Sequence, residues 1–417
     1  GSPNKQDTSE VHGSPLGDDE IILTKQRYGW DPSLKFHVPP DVQSHFREAV
    51  AGGAERESAW KALFDRYARS HPELAKEFTR AAERKLPENW QEIWKTTAPK
   101  FEPGTSMATR EAQGKVLDAI MPKLPLVIGG SADLTPSNNT RFKGAIDFSR
   151  GNPAGRYLRF GVREHAMGAI LNGIALSDML IPYGATFFVF LDYMRGAVRL
   201  AAISKYPSIF IYTHDSIGLG EDGPTHQAVE QFASLRAMPG IVVLRPADAT
   251  ETAAAWKYAL EHRNGPVAIA LPRQKLPVID RSKFASAENL ERGAYILASG
   301  ADPKALLIAT GSEVSLAMQA YDRLAAEHIS ARVVSMPSWE LFERQSQEYR
   351  DTVLPPAIAA RVVVEAGVRM GWDRYLGPRG EFIGMSDFGA SAPLEVVFKG
   401  FGITVDAVVN AAKKVMA

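Results

Sequence analysis

Short apolar segments alternate with helical segments along two successive stretches of this chain. Between about residues 105 and 280 the apolar segments are rich in β-branched and aromatic residues, and helical spacing of apolar side chains separates them. The strand candidates are residues 126–128, 157–160, 181–183, 208–212, 241–244 and 267–271. This alternation is typical of a parallel sheet with helices on both faces. The sequence therefore predicts a doubly wound α/β domain in this stretch.

The same alternation returns later in the chain, whereas the beginning looks different. Strand candidates reappear at residues 305–309, 331–335, 361–365 and 381–384. From about residue 41 to 95 helical spacing dominates, and prolines follow it. The predicted fold class is α/β, with two successive doubly wound, mainly parallel sheets preceded by a helical tail. The expected domains are residues 1–104, 105–286 and 287–417.

Composition excludes several classes of function. The 48 basic and 48 acidic residues cancel, so the overall charge does not favour nucleic acid or an anionic membrane as a partner. There is no cysteine, which excludes disulfides, thiolate nucleophiles and zinc–thiolate sites. No apolar stretch is long enough to cross a bilayer, and no signal pattern opens the chain. A cytoplasmic location is expected.

The loop of residues 214–227 concentrates titratable side chains directly after a predicted strand. It contains His214, Asp222 and His226 among three glycines. Ligands of open α/β sheets bind beyond the carboxyl ends of the strands, so this loop lies where chemistry is expected. The glycines allow the sharp turns that would bring the three side chains together. The loop is therefore the first candidate for a functional site.

Other interpretations of this loop are less favoured. Residues 218–223 match the dinucleotide fingerprint, but Glu221 and Asp222 would repel a pyrophosphate and Pro224 interrupts the expected helix. A hydrolase triad from residues 214–216 would need chain neighbours to point at one another. A metal site formed by His214, Asp222 and His226 follows no standard ligand spacing.

Isolated signals elsewhere leave alternatives open. Glu164 follows the predicted strand 157–160, where it either favours a helix N-terminus or serves as a partly buried acid–base carboxyl. Phe187, Phe190 and Tyr193 recur at a spacing of three, which predicts a helical stripe. By position alone, such a stripe is either core or part of a cofactor pocket.

Five motifs, in their order along the chain, resemble those of the transketolase family. The motifs are Gly129-Gly-Ser-Ala-Asp-Leu, Gly161-Val-Arg-Glu-His-Ala-Met-Gly, Tyr183-Gly-Ala-Thr-Phe-Phe-Val-Phe, residues 214–227 and Arg273-Gln. The resemblance covers essentially the whole chain. It implies a thiamine diphosphate enzyme that transfers a two-carbon ketol (glycolaldehyde) unit from a ketose phosphate such as xylulose 5-phosphate. The implied acceptors are aldose phosphates such as ribose 5-phosphate or erythrose 4-phosphate, in the pentose phosphate pathway or the Calvin cycle.

The resemblance also implies roles for individual residues. Glu164 matches the glutamate that hydrogen-bonds N1′ of the cofactor's aminopyrimidine, and His12 and His226 match two further catalytic residues. The expected cofactor contacts are Glu164, Phe187, Phe190, Tyr193, His226, His12 and Asp133. The expected substrate contacts are His12, Arg110, Ser137, His214, Asp222 and Arg273. Pro272 stands where a small residue such as serine is expected, which leaves the orientation of Arg273 open.

Partners follow from the same resemblance. The chain is similar to the tail of the diphosphate-binding domain, the pyrimidine-binding domain and the C-terminal domain. The ligands of Mg²⁺ or Ca²⁺ are then expected in an N-terminal portion outside this sequence, and no metal ligand is expected within it. That portion, as a second chain or a cleaved piece, and a homodimer of the complete unit are the expected partners.

Two alternatives remain beside this interpretation. One is a related thiamine enzyme such as dihydroxyacetone synthase, and the other is a non-catalytic remnant. The joint presence of Arg110, Ser137, His214 and Arg273 favours sugar phosphates as substrates. Retention of the matched pyrimidine-site residues argues against a remnant.

Overall fold

The computed structural model describes residues 1–417, which form two compact units, Gly1–Glu77 and Phe78–Ala417. The first unit is helical. It contains α1 (Asp18–Arg27), α2 (Pro40–Ser70) and the beginning of α3 (Pro72–Ala82). In α2 the rings of Trp60 and Phe64 stack with their centroids 5.4 Å apart, as helical spacing predicts.

The second unit contains the remaining helices and all the strands. Its helices are α4 (Trp90–Thr97), α5 (Thr109–Ile120), α6 (Thr135–Asn138), α7 (Glu164–Leu176), α8 (Leu191–Ser204), α9 (Gln231–Arg236), α10 (Ala249–Glu261), α11 (Val314–Ala326), α12 (Trp339–Glu343), α13 (Gln347–Val353), α14 (Asp373–Leu376), α15 (Leu394–Gly400) and α16 (Val405–Met416). Its strands are β1 (Ser106–Ala108), β2 (Val127–Ser131), β3 (Tyr157–Arg159), β4 (Ile181–Phe187), β5 (Ile209–Thr213), β6 (Val242–Leu244), β7 (Val267–Leu271), β8 (Lys275–Pro277), β9 (Tyr295–Ser299), β10 (Ala305–Ala309), β11 (Ala331–Ser335), β12 (Arg361–Val368) and β13 (Glu381–Met385).

The first large sheet has six parallel strands in the order β3-β2-β4-β5-β7-β6. All five residues of the inner strand β5 are buried, because helices cover both faces of the sheet. Helix α8 buries Leu191, Met194, Ala197, Val198, Ala201 and Ala202, the spacing of one helical face. The predicted doubly wound sheet is confirmed.

The second sheet has five strands in the order β13-β12-β10-β11-β9. Four of them are parallel, and β9 pairs antiparallel with β11 at one edge. This agrees with the predicted mainly parallel second sheet, although β9 was not predicted. A small antiparallel pair, β1 with β8, was also not predicted; each strand has three residues, too few for a period to be visible.

The predicted helical stripe at Phe187, Phe190 and Tyr193 is wrong. Phe187 is the last residue of β4, residues 188–190 form a single 3-10 turn, and Tyr193 lies in α8. The spacing of three arises because the chain passes directly from a strand end into a helix. None of the helices combines the length and the apolar character needed to cross a membrane.

Candidate active site

The predicted site residues of the second unit gather at the carboxyl edge of the six-stranded sheet. Five neighbouring strands each end just before one or more of them. Asp133 and Ser137 follow β2, Glu164 follows β3, Phe190 and Tyr193 follow β4, His214, Asp222 and His226 follow β5, and Arg273 follows β7. Since these strands are parallel and adjacent, their carboxyl ends meet at one edge, which is where such sheets bind ligands.

Two stacked phenylalanines and two histidines form the centre of this edge. The rings of Phe187 and Phe190 are nearly parallel, with centroids 6.0 Å apart. The His214 ring lies 3.8 Å from Phe187, and the His226 ring lies 5.6 Å from Phe190. Tyr193 is 5.8 Å from Phe190 and is 68% exposed. Phe187, Phe190 and Tyr193 therefore form a continuous row of aromatic rings at this edge of the sheet.

Glu164 is the first residue of α7 and is only 9% exposed. Its position at the helix N-terminus stabilises a carboxylate through the helix dipole. The carboxylate has no hydrogen-bond or ion-pair partner within the chain. The side chain is mostly buried while its carboxylate oxygens stay accessible to solvent, so the carboxylate can accept a hydrogen bond from a ligand at this edge.

Two guanidinium groups and a serine lie beside this centre. Arg110, near the start of α5, donates from Nη1 to the carbonyl oxygen of Ser137 at 2.7 Å. Arg273 donates from Nη1 to the carbonyl oxygen of Leu219 at 3.1 Å, so Arg273 is oriented toward the 214–227 loop despite Pro272. The Nε of Arg110 is buried and has no acceptor. Burial lowers the pKa of Arg110, the neighbouring Glu111 carboxylate opposes the decrease, and the charge of Arg273 adds to it. The two guanidiniums thus form a positive site that Glu111 offsets only in part.

His214 is buried beside these charges and is only 3% exposed. Its Nδ1 lies 2.9 Å from Thr213 Oγ1. Burial lowers the pKa of His214 to about 3, and Arg110, Arg273 and His226 add to the effect. His214 is therefore a neutral imidazole near neutral pH, able to exchange hydrogen bonds with a polar ligand.

The folded state should lose stability on acidification because of His214. Below about pH 6.5 the unfolded chain protonates this histidine while the folded chain does not, so the unfolded state binds more protons and stability falls. Between pH 6.5 and 5 we expect His214 to account for a loss of roughly 1–2 kcal/mol. The free energy of unfolding, measured in urea at several pH values in this range, should fall less steeply with decreasing pH in His214→Asn than in the parent. The control His328→Asn, at an exposed position, should keep the parental slope; an unchanged slope in His214→Asn would contradict the burial argument.

A buried ion network, which was not predicted from the sequence, lies directly behind the 214–227 loop. Arg245 is fully buried after β6 and donates from Nε to Asp215 Oδ2 at 2.8 Å. It also pairs with Glu313 and donates to the Thr310 carbonyl oxygen at 3.1 Å. Asp215 belongs to the half of the unit with the six-stranded sheet, and Glu313 to the half with the five-stranded sheet. The network therefore ties the residue after His214 to the second sheet.

The same network continues to a second arginine. Arg236 donates two hydrogen bonds to Glu365, at 2.8 and 2.7 Å. Burial would raise the pKa of Glu365, but the Arg236 and Arg245 guanidiniums hold it below its usual range. Burial raises the pKa of Glu313, and Arg245 opposes the increase only in part. The signal in the sequence was an arginine at the end of an apolar run, which requires a buried acidic partner.

Three predicted residues lie less centrally. Asp133 is exposed and has a left-handed backbone with φ of 60°, and Asp222 is also exposed. His12 belongs to the unit Gly1–Glu77, where it is exposed and ends the short 3-10 turn Ser9–Val11. Nowhere in residues 1–417 do three or more His, Cys, Asp or Glu side chains form a group that could hold a metal ion.

Comparison with known proteins is consistent along the entire chain. Residues 105–278 match the family described as transketolase, pyrimidine binding domain, and residues 293–404 match the transketolase-like C-terminal domain. Residues 1–87 match transketolase, thiamine diphosphate binding domain. The chloroplastic transketolase of Craterostigma plantagineum is 49% identical over all of this chain and 80% of its own length. A transketolase of Halalkalibacterium halodurans is 48% identical over all of this chain and 62% of its own length.

Solved structures agree with the sequence comparisons. The transketolase from Leishmania mexicana superimposes with a TM-score of 0.92 at 44% identity, covering 100% of this chain and 60% of that one. A Pichia stipitis transketolase solved with sedoheptulose 7-phosphate gives a TM-score of 0.91 at 43% identity, covering 97% of this chain and 60% of that one. A split-gene transketolase, described as an inactive β4 tetramer, gives 0.61 at 28% identity, covering 74% of this chain and 98% of that one.

The fold and the candidate active site at the carboxyl edge of the six-stranded sheet define a class of protein. It is an α/β protein with the pyrimidine-binding and C-terminal domains of thiamine diphosphate enzymes. The chain belongs to the transketolase family. It spans 62% of the length of several of its curated relatives.

Proposed function

We propose that this chain acts in transketolase catalysis, transferring a two-carbon ketol unit from a ketose phosphate to an aldose phosphate. The observation that carries the proposal is the grouping of a carboxylate without a protein partner, a stacked phenylalanine pair, two imidazoles and two guanidiniums at one sheet edge. A sugar phosphate bound to the Pichia stipitis relative supports the substrate class.

The site residues fit thiamine diphosphate. Its aminopyrimidine needs a flat apolar surface and a carboxylate, and the Phe187–Phe190 pair with Glu164 supplies both kinds of group. When bound, the cofactor supplies a carbon centre that carries the two-carbon unit between donor and acceptor. Glu164 would share a proton with N1′ of the ring, and His226 would exchange protons with the ligand beside it. Tyr193, His12 and Asp133 complete the proposed cofactor contacts.

The substrate phosphate would bind to the positive side of the site. Arg110 and Arg273 present guanidinium groups that suit a dianionic phosphate, and Ser137 and neutral His214 add polar contacts. Asp222 would accept a hydrogen bond from a sugar hydroxyl, and His12 would contact the substrate as well. This arrangement favours a sugar phosphate over the bare aldehyde acceptor of a dihydroxyacetone synthase.

Finer features belong to the same proposal. They are Mg²⁺ or Ca²⁺ bound with the cofactor diphosphate, a homodimer, a cytoplasmic location and a role in the pentose phosphate pathway or the Calvin cycle. The second portion of a transketolase, on another polypeptide, is the proposed partner. A structurally similar split-gene transketolase, described as an inactive β4 tetramer, supports this requirement.

A ketol-transfer assay tests the function directly. Because the match covers part of the relatives' length, activity should be measured for the chain alone and for an assembled enzyme. We define the assembled enzyme as this chain mixed with the segment of the Halalkalibacterium halodurans relative that lies outside the match. With thiamine diphosphate, Mg²⁺, xylulose 5-phosphate and ribose 5-phosphate, we expect turnover by the assembled enzyme. Absence of turnover in both preparations, with both polypeptides folded and associated, would contradict the proposal.

The same assay tests the phosphate contact. Arg273→Ala removes one of two guanidiniums, so the KM for phosphorylated sugars should rise about 10- to 100-fold with a smaller change in kcat. The exposed Arg379→Ala is the control and should leave both constants unchanged. An unchanged KM in Arg273→Ala would remove this residue from the substrate site.

A further inference from the structure

The part of the 214–227 loop that carries Asp222 has little regular structure to hold it. The 3-10 turn Ile217–Leu219 precedes it, and the next helix, α9, begins only at Gln231. Gly220 ends the turn with φ of 86° and ψ of −117°, a conformation that glycine adopts without steric cost. Asp222 itself is exposed. The position of its side chain therefore depends on contacts that other parts of the chain make with its neighbours.

Gln227 supplies one of these contacts from the interior. Its side chain is 2% exposed, and its amide nitrogen Nε2 donates to the Gly220 carbonyl oxygen at 2.9 Å. The same nitrogen donates to the Ala390 carbonyl oxygen at 3.0 Å. Ala390 lies between β13 and α15, in the half of the unit with the five-stranded sheet. The amide therefore joins the turn before Asp222 to the other half of the unit.

The segment between β13 and α15 makes further contacts with the same stretch of the loop. Ser391 donates from Oγ to the carbonyl oxygen of Glu221 at 2.5 Å, one residue before Asp222. Gly389 approaches Gln227 so closely that a Cβ atom added to it would lie 1.6 Å from Oε1 of the glutamine. The φ of Gly389 is not positive, so this close approach, and not backbone conformation, requires glycine here. The segment and the loop are thus interlocked beside Asp222.

We infer that Gln227 is a positioning residue for the reaction and that it acts through Asp222. The inference rests on the proposed function, in which Asp222 accepts a hydrogen bond from a sugar hydroxyl. The amide nitrogen of Gln227 binds two carbonyl oxygens, which need a donor. Holding these two oxygens together fixes the backbone that leads into Asp222. The five-stranded half thereby contributes to substrate recognition without contacting the substrate.

Gln227→Met tests the inference, because methionine is similar in length but has no N–H group to donate. In the assembled enzyme, kcat/KM for xylulose 5-phosphate should fall about 10- to 100-fold, the effect of a contacting group displaced by about 1 Å. In an Asp222→Ala background the same substitution should cause less than about a twofold further loss, because the side chain that it positions is gone. Equal losses in both backgrounds would show that Gln227 only supports the fold, and would overturn the inference.

The matched control is Gln345→Met. This substitution removes a partly buried amide that donates to the Leu341 carbonyl oxygen at 3.0 Å, outside the candidate active site. It should leave kcat/KM unchanged.

Hydrogen–deuterium exchange of the chain alone gives a test that does not depend on turnover. The backbone amides of residues 218–226 should exchange about tenfold faster in Gln227→Met than in the parent. Gly389→Ala should have the same effect by another route, because the added Cβ displaces the Gln227 amide from both carbonyl oxygens. Parental exchange in either variant, once folded, would overturn the inference. Absence of turnover in the assembled parent would instead overturn the proposed function, and the exchange result would still decide whether Gln227 holds the loop.

Discussion

Replacing Glu164 by glutamine should reduce ketol transfer by the assembled enzyme about 10²- to 10⁴-fold. Glutamine has nearly the same size, so the packing around the start of α7 is preserved. Its amide cannot carry the negative charge that would favour a shared proton on the N1′ side of the cofactor ring. The loss should therefore appear in kcat, since the phosphate contacts of the substrate are unchanged. Steady-state kinetics with xylulose 5-phosphate and ribose 5-phosphate measure it.

A matched variant separates this role from helix capping. Glu348 occupies the first turn of α13 and is exposed, so Glu348→Gln removes the same helix-dipole interaction outside the site. Both variants should lose less than about 1 kcal/mol of stability from that interaction, but only Glu164→Gln should lose turnover. Near-normal turnover in Glu164→Gln would show that Glu164 only stabilises its helix.

Much of the six-stranded sheet was predictable because its strands are buried on both faces. The segment before His214 is an unbroken apolar run, and its carboxyl end indicated where the site lies. The predicted grouping of His214, Phe187 and Arg110 is consistent with the geometry, although their roles stay predictions. The spacing of three between Phe187, Phe190 and Tyr193 led to a wrong helix prediction, because a strand end followed by a helix start gives the same spacing as a helical repeat.

The contacts between the two sheets could not be predicted. Arg245 meets Glu313 and Glu365, which lie 68 and 120 positions later, and no local period encodes such a contact. A charged residue near an apolar segment signals that a partner is needed, but not which one.

Replacing Arg245 by methionine should be the most destabilising single change considered. The side chain is fully buried, and its removal leaves Asp215 and Glu313 without their guanidinium partner in the interior. Removing one member of a buried charge network typically costs about 3–5 kcal/mol. Urea unfolding monitored by tryptophan fluorescence should show this loss. The substitution should also disturb the candidate active site, because Arg245 binds Asp215, which directly follows His214 in the loop.

Two companion variants distinguish a charge effect from a packing effect. Arg323→Gln breaks an exposed pair with Asp406 and should cost less than about 1 kcal/mol. Adding Asp215→Asn and Glu313→Gln to Arg245→Met removes the two carboxylates that lose their guanidinium partner, while Glu365 keeps Arg236, and should recover a substantial part of the lost stability. Failure to recover would mean that the shape of the arginine, and not its charge, holds the two sheets together. A loss below about 1 kcal/mol in Arg245→Met alone would contradict the network argument itself.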